Sequence, residues 1–172
     1  MGDTTITIIA IFLAAILMFV FPLMTLSDRS DDVANLSVQT ITSEFVDNVK
    51  KTGKLTEENY SKLVEQISST GNSYDVELKV QILDENLGKK ASSVALDKIG
   101  ENQYYTMYTT QVLDAMKNGT LTLKEGDRIS VSVKNTNTTI SQQLKNFLYK
   151  VTGNDSYQIS AEASGLVTVN GK

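Results

Sequence analysis

An α+β fold is predicted, with one long N-terminal helix leading into a small sheet packed with helices, and three observations predict it. Residues 4–27 carry no charged side chain. Residues 28–53 keep their apolar positions at helical spacing. The rest of the chain alternates between amphipathic helical segments and stretches in which every second residue is apolar.

The first helix is long enough to cross a membrane. The run at 6–26, ITIIAIFLAAILMFVFPLMTL, is interrupted only by Thr7, Pro22 and Thr25. At about 1.5 Å of rise per residue it reaches about 31 Å, the thickness of a bilayer's hydrocarbon core. Residues 1–27 are therefore read as a transmembrane helix. A secretory signal would show a basic flank, a shorter apolar region and a small-residue cleavage site. Here Met1-Gly2-Asp3 lacks a basic residue and Met24-Thr25-Leu26 is a poor cleavage site, so a retained helix is expected. Ile6 stands where N-myristoylation of Gly2 would want Ser or Thr. Arg29 sits among Asp28, Asp31 and Asp32, so the positive-inside rule assigns no orientation. Ala10 and Ala14 form a small-xxx-small pair with Thr7 one turn earlier, a spacing that lets helix backbones approach in lipid. Pro22 removes one helical hydrogen bond and predicts a kink or a melted turn.

Residues 28–53 read as an amphipathic continuation of this stem. Val33, Leu36, Ile41, Phe45 and Val49 are assigned to one stripe, with Asp32, Gln39, Asp47 and Lys50 away from it. Gly53, after Lys50 and Lys51, suits the position that ends a helix. One helix of more than about 70 Å would then run from about residue 4 to about residue 52. Thr7, Ala10, Ala14, Val33, Leu36, Ile41, Phe45 and Val49 together make the candidate helix-assembly interface.

Residues 54–172 read as a soluble α+β head. Thr56 is expected to cap a helix whose first turn holds Glu57 and Glu58, with Leu55 stapled to Tyr60. Tyr60, Leu63, Val64 and Ile67 would face inward and Gly71 would end the element. Val76, Leu78, Val80 and Ile82 alternate as a strand. Residues 84–103 lack a steady period and are expected to loop, with one helical turn at 94–99. A helix is expected over 106–117, closed by Asn118-Gly119. The turn Lys124-Glu-Gly-Asp-Arg leads into a strand through Ile129, Val131 and Val133. Thr138 or Thr139 would cap a helix to Val151, with Ile140, Leu144, Phe147, Leu148 and Val151 inward. Tyr157, Ile159, Ala161 and Ala163 form a last strand, with a bend or bulge at Ser164-Gly165 before Val167 and Val169. The sheet should have three to five strands, with helices on one face.

Composition excludes several chemistries. The 172 residues contain no His and no Cys, which removes the commonest general base, the commonest metal ligand and the thiol nucleophile. A net charge of −4 with scattered Lys argues against a nucleic-acid surface. Asp28, Asp31 and Asp32 lack the spacing and glycine of an EF-hand loop and read as a solvated helix start. Tyr104, Tyr105 and Tyr108 lack basic interleaving and read as core and rim. The Asn-x-Ser/Thr matches are those expected by chance in so polar a chain. No phosphate loop, G-x-S-x-G motif or Ser-Lys dyad is present. Neither an enzyme nor a cofactor is expected.

The order of uncharged apolar helix, amphipathic extension and small α+β head resembles type IV pilins and pseudopilins. It is most similar to Tad-type (tight adherence) pilin-like subunits of Gram-positive bacteria. The stretch VQTITSEFVDNVKKTGKLTEENYSKLVEQISSTGNSYDVELKV is similar to the helix–TG–helix–strand start of TadE-like heads, and the resemblance covers residues 4–83. It implies a pilin-like fold and a structural subunit of a surface filament or secretion apparatus. Such a subunit sits as a single pass in the bacterial cytoplasmic membrane with its head extracytoplasmic, or is extracted into a filament. Its partners would be lipid, further copies or other pilin-like subunits, and assembly machinery. Two features depart from the family pattern. No basic leader precedes a Gly-Phe site, and cleavage after Gly2 would put Thr7 at the fifth mature position, where pilins carry Glu. The alternative is a single-pass membrane-anchored extracytoplasmic binding module that does not polymerise.

Overall fold

A single helix, α1 (Gly2–Thr52), runs unbroken through Pro22. The computed structural model describes residues 2–83, 104–139, 142–143, 146 and 159–171. No turn melts at Pro22. Three residues on, the Thr25 hydroxyl donates to the Phe21 carbonyl at 3.0 Å. At about 1.5 Å per residue α1 is about 75 Å long. Lys50 and Lys51 favour the negative end of the helix dipole. Gly53 then takes a φ of +64°, and its N–H donates to the Val49 carbonyl at 2.8 Å.

The elements that follow are β1 (Lys54–Leu55), α2 (Glu57–Ser68), β2 (Tyr74–Leu83), β3 (Tyr104–Tyr108), α3 (Thr109–Lys117), β4 (Leu121–Thr122), β5 (Arg128–Asn135) and β6 (Ser160–Leu166). The main sheet is antiparallel, in the order β3-β2-β5-β6, and β1 pairs with β4 separately. The layout is α+β, with a long apolar N-terminal helix before a small antiparallel sheet.

The helix side of this sheet makes the core. Val76, Leu78 and Val80 of β2 and Ile129, Val131 and Val133 of β5 point into it, and Leu63, Ile67, Val112 and Met116 close it from α2 and α3. Thr56 caps α2 as its spacing predicts, accepting from the Asn59 N–H at 3.2 Å. The second half of α1 lies chiefly against β6, with β5 and α2 beside it. It comes close because the inward residues of β6 are small: Ala161, Ala163 and Gly165. A Cβ at Gly165 would collide with the Lys50 side chain crossing above it.

Three expectations about elements change. The expected bend or bulge at Ser164-Gly165 is absent, because β5 and β6 pair in one continuous register from Lys134↔Ser160 to Arg128↔Leu166. The glycine answers the approach of α1 instead. The helix expected from residue 106 starts at Thr109, since Tyr104–Tyr108 pairs with β2 as a strand. Thr109 ends that ladder with its hydroxyl, accepting from the Leu78 N–H at 2.9 Å and donating to the Leu78 carbonyl at 3.3 Å. Asp31 is not solvated: it is 5% exposed and hydrogen-bonded to Thr139.

The helix expected after Thr138 or Thr139 begins at Thr139 with a reciprocal cap. The Thr139 hydroxyl accepts from the Gln142 N–H at 3.2 Å, and the Gln142 amide oxygen accepts from the Thr139 N–H at 3.1 Å. Its continuation to Val151, with inward Ile140, Leu144, Phe147 and Leu148, lies outside the described residues, as do Tyr157 and the loop at 84–103 with its turn at 94–99.

Candidate functional site on the long helix

Helical spacing gives α1 two opposite faces beyond the apolar run. Asp31, Ala34, Val38, Thr42, Phe45, Val46 and Val49 are buried against the head. Thr42 enters this core without an orphaned hydroxyl, because its Oγ1 donates to the Val38 carbonyl at 2.6 Å. Val33 and Leu36 point the other way and are each 66% exposed.

The candidate interface residues therefore divide. Phe45 is 8% exposed and Val49 is fully buried, so both pack in the protein's own core and are closed to a neighbour. Ile41 is half-buried between the two faces. Val33 and Leu36 are open. So are Thr7, Ala10 and Ala14, within a stretch of α1 that the head does not touch. In place of Val33 and Leu36, the buried stripe runs through Ala34 and Thr42. Those two are the positions where a helix can sit closest to a sheet.

The open residues share a direction. At about 100° per residue, Thr7, Ala14 and Leu36 project within about 40° of one another, with Ala10 and Val33 flanking them on either side. The Thr7 hydroxyl donates to the Asp3 carbonyl at 2.7 Å, so it presents a small, internally satisfied surface. Where α1 enters the head, a groove of about 680 Å3 runs beside this face, between Leu26, Arg29, Val33 and Ile41 on α1 and Ser69 and Thr70 after α2. Its walls are mostly apolar, and Arg29 is the one cation among the described residues that line it.

Charge at the head end of α1 is arranged locally. Lys50 donates to the Asp47 carboxylate at 2.8 Å, and that hydrogen bond, with the Lys50 charge, holds the carboxyl below the usual range. Glu58 is lowered in the same way by Lys62 at 2.7 Å. Among the described residues no group of three His, Cys, Asp or Glu is placed to hold a metal ion.

No family model, no curated protein and no solved structure matches the chain. The first helix is long and apolar enough to cross a membrane, and none of its most apolar stretch is buried by the head. What α1 offers chemically is surface: an apolar shaft continued towards the head by an open face, on a helix whose other face is core.

Proposed function

We propose that this chain is a membrane-inserted, pilin-like structural subunit of a bacterial surface filament or secretion apparatus, assembling with further copies through α1. The observation that carries the reading is the continuity of the open face from Thr7 and Ala14 to Leu36, on a helix locked into the head by its opposite face. A rigid helix shared by membrane and head fixes where each head stands once the shafts bundle. A plain anchor has no need of apolar residues kept exposed beyond the bilayer, where water penalises them by about 25 cal/mol per Å2. Small residues at helical spacing then allow close packing in lipid, where dispersion and shape drive association. The partners are lipid, other copies and the machinery that moves them. The location is the cytoplasmic membrane with the head outside, or a filament drawn from it.

The test is negative-stain microscopy of sheared surface material from cells carrying the wild-type chain or Ala14→Ile. The substitution keeps the segment apolar, so membrane insertion should persist while assemblies fall sharply. Intact assemblies in Ala14→Ile refute close packing at this face. Wild-type cells without assemblies favour an anchored module that does not polymerise.

A further inference from the structure

The sheet face turned away from α1 carries no described helix, and its outward residues are sorted by charge. Gln81, Arg128 and Leu166 form one cross-strand row, with Thr106 at its β3 end. Lys79, Ser130 and Ser164 form the next, with Tyr108 at its β3 end. These two rows hold two cations and no acid. Acids begin one row further, at Glu77 and Glu162, and Lys134 stands 4.0 Å from the Glu77 carboxylate. On a chain of net charge −4 this is a local positive strip.

Arg128 is held in place. Its guanidinium lies 4.7 Å from the centroid of the Tyr104 ring, and the Tyr104 hydroxyl donates to the Gly126 carbonyl at 3.3 Å. Among the described residues no carboxylate forms an ion pair with Arg128 or Lys79. Beside Arg128 lies a shallow groove of about 300 Å3 bordered by Gln81, Ser130, Ser164 and Leu166. The groove exists because two serines stand between longer side chains.

We propose that this strip binds a uronic-acid carbohydrate, with its carboxylate on Arg128 and Lys79 and its hydroxyls on Gln81, Ser130 and Ser164. An oriented guanidinium fork suits an oxyanion and loses little freedom on binding it. The serine hydroxyls and the Gln81 amide both donate and accept, as a polyol requires. The exposed Tyr108 ring beside Lys79 offers a flat apolar surface for a sugar face. Nucleic acid fits less well, since its affinity grows with the number of phosphates neutralised and only two cations are present. An apolar protein surface finds only Leu166 and the Tyr108 ring, set among charges and hydroxyls. The proposal stands whether or not the helices assemble.

The test is calorimetric titration of the full chain in neutral maltoside micelles. The probes are a uronic-acid oligosaccharide, poly(glycerol phosphate), inorganic phosphate and a neutral oligosaccharide of matched length. Binding of the uronate, weakened by salt, weaker for the acyclic polyol phosphate and absent for the neutral sugar, is expected. Arg128→Gln should weaken it by about tenfold or more, Lys79→Gln by less, and Arg128→Lys should restore part of the loss. Glu58→Gln, on α2, should change nothing. The proposal is overturned if the uronate does not bind, if poly(glycerol phosphate) or the neutral sugar binds as tightly, or if folded Arg128→Gln and Lys79→Gln chains bind as wild type. Inorganic phosphate binding as tightly as the polymers overturns the role given to the hydroxyls.

Discussion

The Thr139 hydroxyl donates to Oδ2 of Asp31 at 2.7 Å, joining positions 108 residues apart. Oγ1 of Thr139 also accepts from the Gln142 N–H, so one side chain starts a helix and ties that start to α1. Asp31→Ala should destabilise the head by about 1–3 kcal/mol, the cost of leaving a buried partner unsatisfied. Asp31→Asn, which keeps an acceptor, should cost less. Urea unfolding of the two variants and of Thr139→Val, read as a double-mutant cycle, checks the coupling. Independent, additive effects would remove the tie.

The opposite faces of α1 should respond oppositely to truncation. Phe45→Ala should cost about 3–5 kcal/mol, since Phe45 packs in the core. Leu36→Ala should leave stability within about 0.5 kcal/mol. Thermal unfolding in detergent distinguishes them, and a costly Leu36→Ala would show that the head covers that face.

Fragment boundaries follow from the same burial. A chain starting at residue 28 keeps Val38, Phe45, Val46 and Val49 and should fold cooperatively. A chain starting at residue 54 loses them from the core and should not. Circular dichroism with urea titration reads the difference, and a folded 54–172 fragment would contradict the packing described.

Gly53 joins α1 to the small sheet in a left-handed turn, with Gly171 against it. A Cβ there would come 2.8 Å from the Gly171 Cα. Gly53→Ala should therefore cost more than the roughly 1–2 kcal/mol of the left-handed backbone alone. An unchanged urea midpoint would mean that the tail yields freely.

Tyr60 supplies a pH signature. Burial, with the Asp75 charge adding to it, raises its hydroxyl above the ordinary 10.0. Above pH 10 the unfolded chain ionises first, so the stability present below that value is lost as pH rises towards the folded pKa. Comparing urea midpoints at about pH 9 and about pH 10.5 should show a larger fall for wild type than for Tyr60→Phe. Equal falls would assign the loss to other groups.

Strands β2 and β5 and helix α2 were legible because their apolar residues repeat at the period of one element, and side-chain period decides which face is buried. The buried face of α1 was not. Ala34, Val38, Thr42, Phe45 and Val49 do keep the helical period, but Ala34 and Thr42 are small or polar, and what buries them is the small inward side of β6, more than 100 positions away. Gly165 misled for the same reason: a glycine in a strand reads as a bulge until the helix above it is known. The pairing of Arg128 with Tyr104 has no local motif in the sequence, because the two lie on different strands.

Single-cysteine scanning of α1 tests the assembly claim most directly, and a chain without native Cys makes it clean. Cysteines placed one at a time at positions 7, 10, 14, 33, 36, 45 and 49, and oxidised in native membranes, report which positions meet a second copy. Disulfide-linked dimers should form at 7, 14 and 36, more weakly at 10 and 33, and not at 45 or 49. Monomer at every position, or cross-linking without regard to helix face, would contradict assembly through the open face of α1.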